Sequence, residues 1–369
     1  MRARLLSVVG ARPNYMKVAP LHRAFARYAE RVEHIIVHTG QHYDAELSDV
    51  FFADLEMPEP AVFLGVGSGT QAQQTARIML AFEPVCLQLR PQLVFVVGDV
   101  NSTIACALTA VKLGIPVAHV EAGLRSFDRR MPEEINRVAT DAIADYFFVT
   151  EPSGVENLRR EGKSEEQIFL VGNTMIDSLL FALPKARCHS IRSDLGLQPR
   201  GYVVVTLHRP SNVDNPEQLR LLLQLFSELA QWRTVVFPVH PRTRQAIDRF
   251  GLEQYVRPLC LLPPLRYVEF LALVLESDFV VTDSGGIQEE TTYLGIPCLT
   301  LRTTTERPIT CQLGTNWLVP PEPGPLRAAL QTLQRGERKQ GQVPPLWDGH
   351  AAERIAQIVL ERCLRISVE

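Results

Sequence analysis

The sequence lacks the patterns that would place it among metal-binding, disulfide-linked or membrane proteins. Its seven cysteines form no Cys-x-x-Cys pair and mostly lie inside apolar runs, which is typical of reduced core thiols in a cytoplasm. It has no apolar run of about 18 residues, the length that spans a bilayer. The apolar run after Arg2 and Arg4 is too short for a signal peptide. These absences predict a soluble cytoplasmic protein without a metal site or a membrane partner.

An excess of positive charge is also missing. There are 38 lysines and arginines against 41 acidic residues, which gives a net charge of -3, and no basic run is dense enough to neutralise a nucleic-acid backbone. The first strand is not followed by the Gly-x-Gly-x-x-Gly pattern of dinucleotide-binding proteins. The glycines between Gly65 and Gly69 have another spacing and are typical of a loop. We therefore expect a small-molecule partner, no nucleic acid and no redox cofactor.

What the sequence contains is a regular alternation of short apolar runs and amphipathic stretches of helical period. This alternation is typical of parallel sheets covered by helices on both faces, and 369 residues suffice for two such domains. The pattern weakens between Pro184 and Pro199, which predicts domains of residues 1–184 and 185–350. The predicted strands are Leu5–Val9, Leu93–Val97, Val117–Val120, Tyr146–Val149, Phe169–Val171, Tyr202–Leu207, Val235–Val239, Pro258–Leu262, Phe279–Thr282 and Cys298–Leu301.

The stretch from Val280 to Pro308 predicts an anion site. A buried strand runs into Ser284, Gly285 and Gly286, and a helix begins close behind them. Glycines let the backbone approach a ligand, and the free N–H groups of a helix N-terminus bind phosphate. Glu290 lies about one turn into the helix, within reach of a ribose diol. The segment fits a nucleoside diphosphate, although an ordinary turn with glycines for tight packing remains the alternative.

A second anion signal follows the first strand, at Gly10-Ala11-Arg12-Pro13. Arg12 and Lys17 would place positive charge near the N-terminus of a helix, where it opposes the helix dipole. A bound anion would compensate for this repulsion. The alternative is that both side chains are solvated surface residues.

Polar residues end several of the predicted strands. In open α/β sheets, ligands bind beyond the carboxyl ends of the strands, so we expect these groups to share one cleft. For each residue alone, a helix N-cap or a core histidine is the simpler interpretation. The residues are Asp99, Glu121, His208, His240, Asp283 and Ser284.

Glu133 and Glu134 follow Met131-Pro132 at a predicted helix start. Proline followed by acidic residues is also ordinary helix capping chemistry. Only one of the two glutamates need be functional, and the sequence leaves that choice open.

In combination, these motifs resemble the non-hydrolysing UDP-N-acetylglucosamine 2-epimerases over nearly the full chain. The resemblance implies a glycosyltransferase-B-like fold of two Rossmann-like domains with a ligand cleft between them, a homodimer, and a C-terminal helix (351–369) that packs back on the first domain. It rests on nine blocks in order: GARPNYMK (10–17), TGQH (39–42), GDVNST (98–103), HVEAGLRS (119–126), MPEEINR (131–137), TLHRPSN (206–212), PVHPRTR (238–244), TDSGGIQEE (282–290) and TTERP (304–308).

The resemblance also implies roles for individual residues. Catalysis would fall to Asp99, Glu121, Glu133 and His208. The UDP-sugar would be bound by Arg12, Lys17, Arg137, His240, Ser284, Gly285, Gly286, Glu290 and Arg307. The implied reaction is reversible epimerisation at C2 of UDP-N-acetylglucosamine to UDP-N-acetylmannosamine, through anti elimination of UDP, 2-acetamidoglucal and readdition, without a cofactor.

The sequence departs from the family pattern where regulated bacterial members hold a second, allosteric UDP-sugar. Tyr43 and Asp44 follow the TGQH block, and no arginine lies between Thr70 and Gln74, so allosteric activation is not expected. The TGQHYD form also resembles a branch that acts on UDP-2,3-diacetamido-2,3-dideoxyglucuronic acid. Two further functions fit the same nucleotide site, namely a glycosyltransferase of the same fold and a catalytically silent nucleotide-sugar sensor.

Overall fold

The structure is a computed structural model that describes residues 2–41 and 54–364. The side chain of Arg12, and His42, Tyr43 and Asp44 of the sequence predictions, lie outside this described part. The chain divides into two compact units. The first comprises Met1–Phe181 and Pro345–Glu369, and the second comprises Ala182–Pro344.

The first unit is built on a seven-stranded sheet in which every neighbouring pair is parallel. The strand order is β3-β2-β1-β4-β5-β6-β7. All five residues of the central strand β4 are buried, as expected for a parallel sheet covered on both faces. The strands are β1 (Ala3–Val9), β2 (Val32–His38), β3 (Val62–Phe63), β4 (Leu93–Val97), β5 (Val117–Val120), β6 (Tyr146–Val149) and β7 (Ile168–Leu170).

Helices connect these strands and cover the sheet. Thr70 starts the second helix by accepting a hydrogen bond from the N–H of Gln73, which is a favourable N-cap. The helices of this unit are α1 (Arg12–Ala26), α2 (Gln71–Leu89), α3 (Asn101–Lys112), α4 (Pro132–Ile143), α5 (Pro152–Arg160) and α6 (Thr174–Arg187), with a 3-10 turn at Glu165–Gln167.

The second unit repeats the plan with a six-stranded parallel sheet in the order β10-β9-β8-β11-β12-β13. Its strands are β8 (Tyr202–Thr206), β9 (Thr234–Pro238), β10 (Cys260–Leu262), β11 (Phe279–Thr282), β12 (Cys298–Leu301) and β13 (Asn316–Val319). Its helices are α7 (Ile191–Asp194), α8 (Pro210–Val213), α9 (Pro216–Leu229), α10 (Pro241–Phe250), α11 (Tyr267–Leu275), α12 (Gly285–Leu294), α13 (Pro308–Gln312) and α14 (Pro323–Gln334), with a 3-10 turn at Glu253–Tyr255.

The chain passes between the two units inside α6, which continues through Pro184 to Arg187. The boundary expected at residue 184 thus lies within a helix. After Pro345 the chain returns to the first unit, where α15 (Ala351–Ile358) packs against α1 and continues as a π turn at Val359–Cys363.

The predicted α/β class with two Rossmann-like sheets is confirmed. Three strands that the sequence analysis missed are β2, β3 and β13. Only part of β2 is buried, so its sequence lacks the continuous apolar run of a central strand. β3 has two residues, and β13 is an edge strand.

Candidate functional site

Both sheets reverse their strand order at one point, and the predicted site residues cluster there. In the first unit the reversal lies between β1 and β4, and in the second between β8 and β11. Ligands of open α/β sheets bind outside the carboxyl ends of the strands at such points. Gly10 and Asp99 follow the first pair of strands, and His208 and Ser284 follow the second. Each unit therefore presents its polar strand ends where its topology favours a ligand.

Glu121 follows β5 with a left-handed backbone, at a φ of 73°. This region costs energy for a residue that carries a side chain, and such residues are common at functional sites. Its carboxylate forms a salt bridge with Lys17, and both side chains are only 5% exposed. The N–H of Glu121 donates to the carbonyl of Phe148 at 2.9 Å. The positive charge of Lys17 near the start of α1 is therefore met within the unit by Glu121.

Asp99 lies just beyond β4 and forms a salt bridge with Arg137 of α4. Its side chain is 23% exposed, whereas that of Arg137 is only 3% exposed. Arg137 also bonds Glu134 Oε2, at 2.7 Å. Arg137 thus pairs with both Asp99 and Glu134, which lie in the same unit.

Glu134 is a buried anchor for the loop before α4. Its carboxylate accepts hydrogen bonds from the N–H groups of Ser126 and Phe127, each at 2.9 Å, and from the Ser126 hydroxyl. Burial opposes ionisation, but these bonds and Arg137 outweigh it and lower the pKa of Glu134. Glu133 is partly exposed and lines a pocket. Glu134 therefore holds the loop before α4 rather than capping the helix, whereas Glu133 lies at the pocket.

This pocket of about 200 Å³ lies beyond the carboxyl ends of the first sheet. A chain of amide side chains forms much of its wall. Gln74 Nε2 donates to the Gln41 carbonyl at 3.0 Å, and Asn101 Nδ2 donates to Gln74 Oε1 at 2.8 Å. Asn136 Nδ2 bonds the Asp99 carbonyl at 2.9 Å. The pocket is lined by Gln41, Ser68, Gly69, Gln71, Gln74, Asp99, Val100, Asn101, Pro132, Glu133 and Asn136. It offers hydrogen-bond donors and acceptors beside two carboxylates, which suits a polar ring such as a sugar.

His119 and Asp141 form a buried pair next to the segments that carry Asp99 and Glu121. His119 Nδ1 lies 2.6 Å from Asp141 Oδ1, and its Nε2 lies 2.8 Å from the carbonyl oxygen of Gly98. Burial opposes the charge of Asp141, but His119, Arg125 and the N–H of Gly123 outweigh it and lower the pKa of Asp141.

In the second unit, Asp283 organises the segment that follows β8. It accepts hydrogen bonds from the N–H groups of His208 and Arg209 and from Asn212 Nδ2. His208 Nδ1 lies 2.8 Å from Asp283 Oδ1, while the His208 side chain is 40% exposed. Burial opposes ionisation, but His208 and these donors outweigh it and lower the pKa of Asp283 to about 2. Asp283 therefore fixes the ring of His208 through one nitrogen and leaves the other for a ligand.

The predicted phosphate-binding turn lies directly at the start of α12. Ser284 is the N-cap of α12, which begins at Gly285 rather than near Ile287. The Ser284 side chain accepts no capping bond from the helix. A Cβ atom at Gly285 would lie 2.7 Å from Arg307 Nη1. A side chain at Gly285 would therefore displace the Arg307 guanidinium that lies against the turn.

Arg307 is buried in an ionic cluster next to this turn. Its Nε lies 2.8 Å from Glu289 Oε1, and its Nη1 bonds Glu306. Glu306 also binds Arg302, at 2.7 Å. The structure therefore places Arg307 at the N-terminus of α12, with its charge shared between two carboxylates.

Glu290 and His240 occupy different environments in the same unit. Glu290 is buried and accepts a hydrogen bond from the Tyr267 hydroxyl at 2.9 Å. Burial raises the pKa of Glu290 to about 7, with a further contribution from Glu289. His240 is exposed, N-caps α10 through the N–H of Arg242, and its ring centroid lies 5.7 Å from that of His208.

Some residues of the site were missed by the sequence analysis. Asn14 Oδ1 accepts from the N–H groups of Gly10 and Ala11, and its Nδ2 donates to the Val97 carbonyl at 3.1 Å, which fixes the turn after β1. Asn14 lies inside the GARPNYMK block, which was a usable signal. Asp141 lies in the last turn of α4, and no local pattern in the sequence identifies its partner His119.

The described part of the chain contains no group of three or more His, Cys, Asp or Glu side chains arranged to hold a metal ion. None of the helices in that part combines the length and apolar character needed to cross a membrane.

Comparison with known proteins decides the family. The family model for UDP-N-acetylglucosamine 2-epimerase matches residues 25–360. The chain belongs to the UDP-N-acetylglucosamine 2-epimerase family. The family is one of isomerases, and the match confirms the resemblance inferred from the nine sequence blocks.

Two curated relatives and one solved structure show how far the similarity extends. The UDP-N-acetylglucosamine 2-epimerase of Methanocaldococcus jannaschii is 39% identical over 96% of this chain and 98% of its own length. The UDP-2,3-diacetamido-2,3-dideoxy-D-glucuronate 2-epimerase of Pseudomonas aeruginosa is 41% identical over 86% of this chain and 88% of its own. A crystal structure of the M. jannaschii enzyme with UDP-GlcNAc and UDP matches with a TM-score of 0.89 and 39% identity, covering 96% of this chain and 99% of that one.

Proposed function

We propose that the protein reversibly converts UDP-N-acetylglucosamine to UDP-N-acetylmannosamine by epimerisation at C2. The observation that carries the proposal is the grouping of Asp99, Glu121 and Glu133 at the carboxyl edge of the first sheet, each on a different element. The family membership and the likeness to an enzyme solved with UDP-GlcNAc support the choice of substrate.

The proposed chemistry explains why several carboxylates are needed. The hydrogen on C2 of the sugar has no neighbouring carbonyl, so a carboxylate alone is too weak a base to remove it. If the C1–O bond to UDP breaks as the proton leaves, positive charge develops on the ring and the proton becomes removable. The electrons of the C2–H bond then form the C1–C2 double bond of 2-acetamidoglucal, and UDP leaves with those of the C1–O bond.

Readdition completes the cycle. A UDP oxygen attacks C1 while a proton is delivered to the opposite face of C2, which gives the epimer. We assign proton transfer and stabilisation of the cationic ring to Asp99, Glu121 and Glu133. Departing UDP carries negative charge, which the N-terminus of α12 and the exposed ring of His208 are suited to bind.

For the nucleotide, we propose that the second unit supplies the ligands. Ser284, Gly285 and Gly286 open α12 and present its free N–H groups to the diphosphate. Glu290 would accept from the ribose diol, with Arg307 and His240 beside the nucleotide. Arg12, Lys17 and Arg137 of the first unit stay predicted substrate-binding residues, and the ion pairs of Lys17 and Arg137 with carboxylates favour a role in holding those groups.

A second substrate is favoured by one observation. The P. aeruginosa relative is named for UDP-2,3-diacetamido-2,3-dideoxy-D-glucuronate and is as similar to this chain as the M. jannaschii enzyme. The reaction at C2 would be the same, and only the groups on the ring would differ.

Deuterium exchange tests the proposal directly. The protein is incubated in heavy water with UDP-GlcNAc alone, and C2 is followed by NMR. We expect deuterium at C2 and growth of the manno isomer. Absence of both with UDP-GlcNAc, but their appearance with the diacetamido-glucuronate, would select the second substrate. Absence with both would refute the epimerase and leave the transferase or the sensor.

We further propose that two copies associate and that the enzyme works in the cytoplasm. Leu80 and Leu87, seven positions apart on α2, are 73% and 59% exposed, and Ile135 of α4 is 49% exposed. Exposed apolar side chains grouped on helices often mark an interface. Light scattering should give twice the mass of one chain, and the double variant Leu80→Asp with Leu87→Asp should return the mass to that of a monomer.

The proposed compartment rests on the cysteines. All seven are free thiols, in keeping with a reducing compartment.

A further inference from the structure

We propose that His119 and Asp141 are positioning residues. They hold the three proposed catalytic carboxylates, Asp99, Glu121 and Glu133, in fixed positions relative to one another. The inference rests on the proposed function. His119 and Asp141 are fully buried, so neither can touch the substrate. They would act by tying together the three elements on which the carboxylates lie.

The first tie holds the turn that carries Asp99. His119 Nε2 lies 2.8 Å from the carbonyl oxygen of Gly98, the residue before Asp99. Gly98 has a φ of 67°, and a Cβ atom there would lie 2.8 Å from Lys17 Nζ. The turn therefore packs closely against the lysine that pairs with Glu121, so a shift of Gly98 would move both carboxylates.

The second tie holds the segment that follows Glu121. Asp141 Oδ2 accepts from the N–H of Gly123 at 2.9 Å and lies 2.7 Å from Arg125 Nη2. Glu121 keeps its left-handed backbone in this segment, a conformation that persists only where the surroundings hold it. Asp141 thus stabilises the backbone of the segment that begins at Glu121.

The third tie is the position of Asp141 itself. Asp141 and Glu133 lie on the same helix, α4, about two turns apart. The bond between Asp141 Oδ1 and His119 Nδ1, at 2.6 Å, joins this helix to β5. One buried pair consequently links the Asp99 turn, the Glu121 segment and the Glu133 helix.

Two substitutions of His119 each keep one of its two hydrogen bonds and remove the other. In His119→Asn the amide nitrogen takes the place of Nδ1 and keeps the bond to Asp141, whereas in His119→Gln it takes the place of Nε2 and keeps the bond to Gly98. Each variant loses one tie. We expect kcat to fall at least about 10-fold in both, while KM for the UDP-sugar and Kd for UDP, whose proposed ligands lie mainly in the second unit, stay within about twofold.

His34 provides the matched control. It lies on β2 of the same sheet and is hydrogen-bonded to Ser7 Oγ at 2.7 Å and His22 Nδ1 at 3.1 Å, away from the three carboxylates. His34→Gln should leave kcat unchanged although it also removes a partly buried histidine bond. A role for His119 in general stability alone would instead lower the melting temperature of both variants and leave kcat per folded molecule unchanged in both.

Arg125→Lys covers the case in which the His119 variants fail to fold. Lysine keeps the charge beside Asp141 but cannot reproduce the fork of bonds to Asp141 and Glu161. A lower kcat with unchanged KM would support the proposal, and an unchanged kcat would overturn it. Normal kcat in folded His119→Asn and His119→Gln would also overturn it. Failure of the wild-type protein to exchange deuterium is a separate outcome, which would refute the proposed function itself.

Discussion

Glu290 offers the most direct test of how the second unit binds a nucleotide, because its pKa is raised to about 7, within the working pH range. The change to test is Glu290→Gln, which keeps the size of the side chain and removes its ionisation. A shift from 4.5 to about 7 corresponds to roughly 3 kcal/mol of folding free energy. The unfolded chain ionises first as the pH rises, so the stability associated with a protonated Glu290 is present below pH 4.5 and lost through about pH 7.

Calorimetric unfolding of the full chain measures this effect. Between pH 5 and pH 8, the wild-type protein should lose about 2.5 kcal/mol more than Glu290→Gln. Glu228→Gln, which changes an exposed carboxylate of the same unit, is the control and should follow the wild type. Equal pH dependence in wild type and Glu290→Gln would refute the link between burial and the raised pKa.

The same variant tests the proposed contact with ribose. If the diol donates to Glu290, binding favours the ionised carboxylate, so UDP should displace a proton from the wild-type protein near pH 7. Titration calorimetry in two buffers of different ionisation enthalpy counts that proton, and comparison with Glu290→Gln cancels the titration of UDP itself. Equal proton release and equal UDP affinity in the two proteins would place the ribose away from Glu290.

The site supports three further predictions. Each of the variants Asp99→Asn, Glu121→Gln and Glu133→Gln should lower turnover at least about 100-fold, while the UDP affinity measured by calorimetry stays the same. Normal turnover in all three variants would refute the proposed mechanism. Gly285→Ala should weaken UDP binding roughly 10-fold because its Cβ would meet Arg307 Nη1 at 2.7 Å, and unchanged affinity would place the diphosphate elsewhere. Initial rates should be hyperbolic in UDP-sugar, since Asp44 adds negative charge and no arginine lies between Thr70 and Gln74; a sigmoidal curve would point to Arg77, which reaches the Ser68 carbonyl at 3.3 Å.

Local patterns allowed much of the fold to be predicted from the sequence. Buried strands such as β4 are continuous apolar runs, and parallel sheets bring their polar ends to one edge, so Asp99, Glu121 and His208 could be identified as strand ends. The glycines at Gly285 and Gly286 could also be interpreted locally, because a helix N-terminus bound closely to another group needs a bare backbone.

The partners of these groups could not be predicted in the same way. From the sequence, Lys17 was interpreted as a cation that binds an anionic ligand. In the structure it forms a salt bridge with Glu121, a residue distant in sequence. Asp141 lies in the last turn of α4, and only the packing of that helix on the sheet brings His119 beside it. Long-range ion pairs depend on how helices pack on the sheet, which a single sequence does not encode as a local pattern.

The backbone around β5 shows why Glu121 is best explained by chemistry. The segment contains two residues with positive φ, Glu121 at 73° and Gly123 at 78°. Glycine adopts this conformation without strain, whereas a residue with a side chain costs of order 1–3 kcal/mol there. At Gly123 the chain uses glycine, and packing requires it as well, because a Cβ atom there would lie 2.3 Å from the Gly154 carbonyl oxygen. At Glu121 it keeps a charged side chain and places Lys17 against it in the interior. Side chains also occur at positive φ at Arg90, Phe127 and Arg200, so the conformation alone does not single out Glu121. What distinguishes Glu121 is its buried salt bridge with Lys17, which keeps a carboxylate at the carboxyl edge of the sheet.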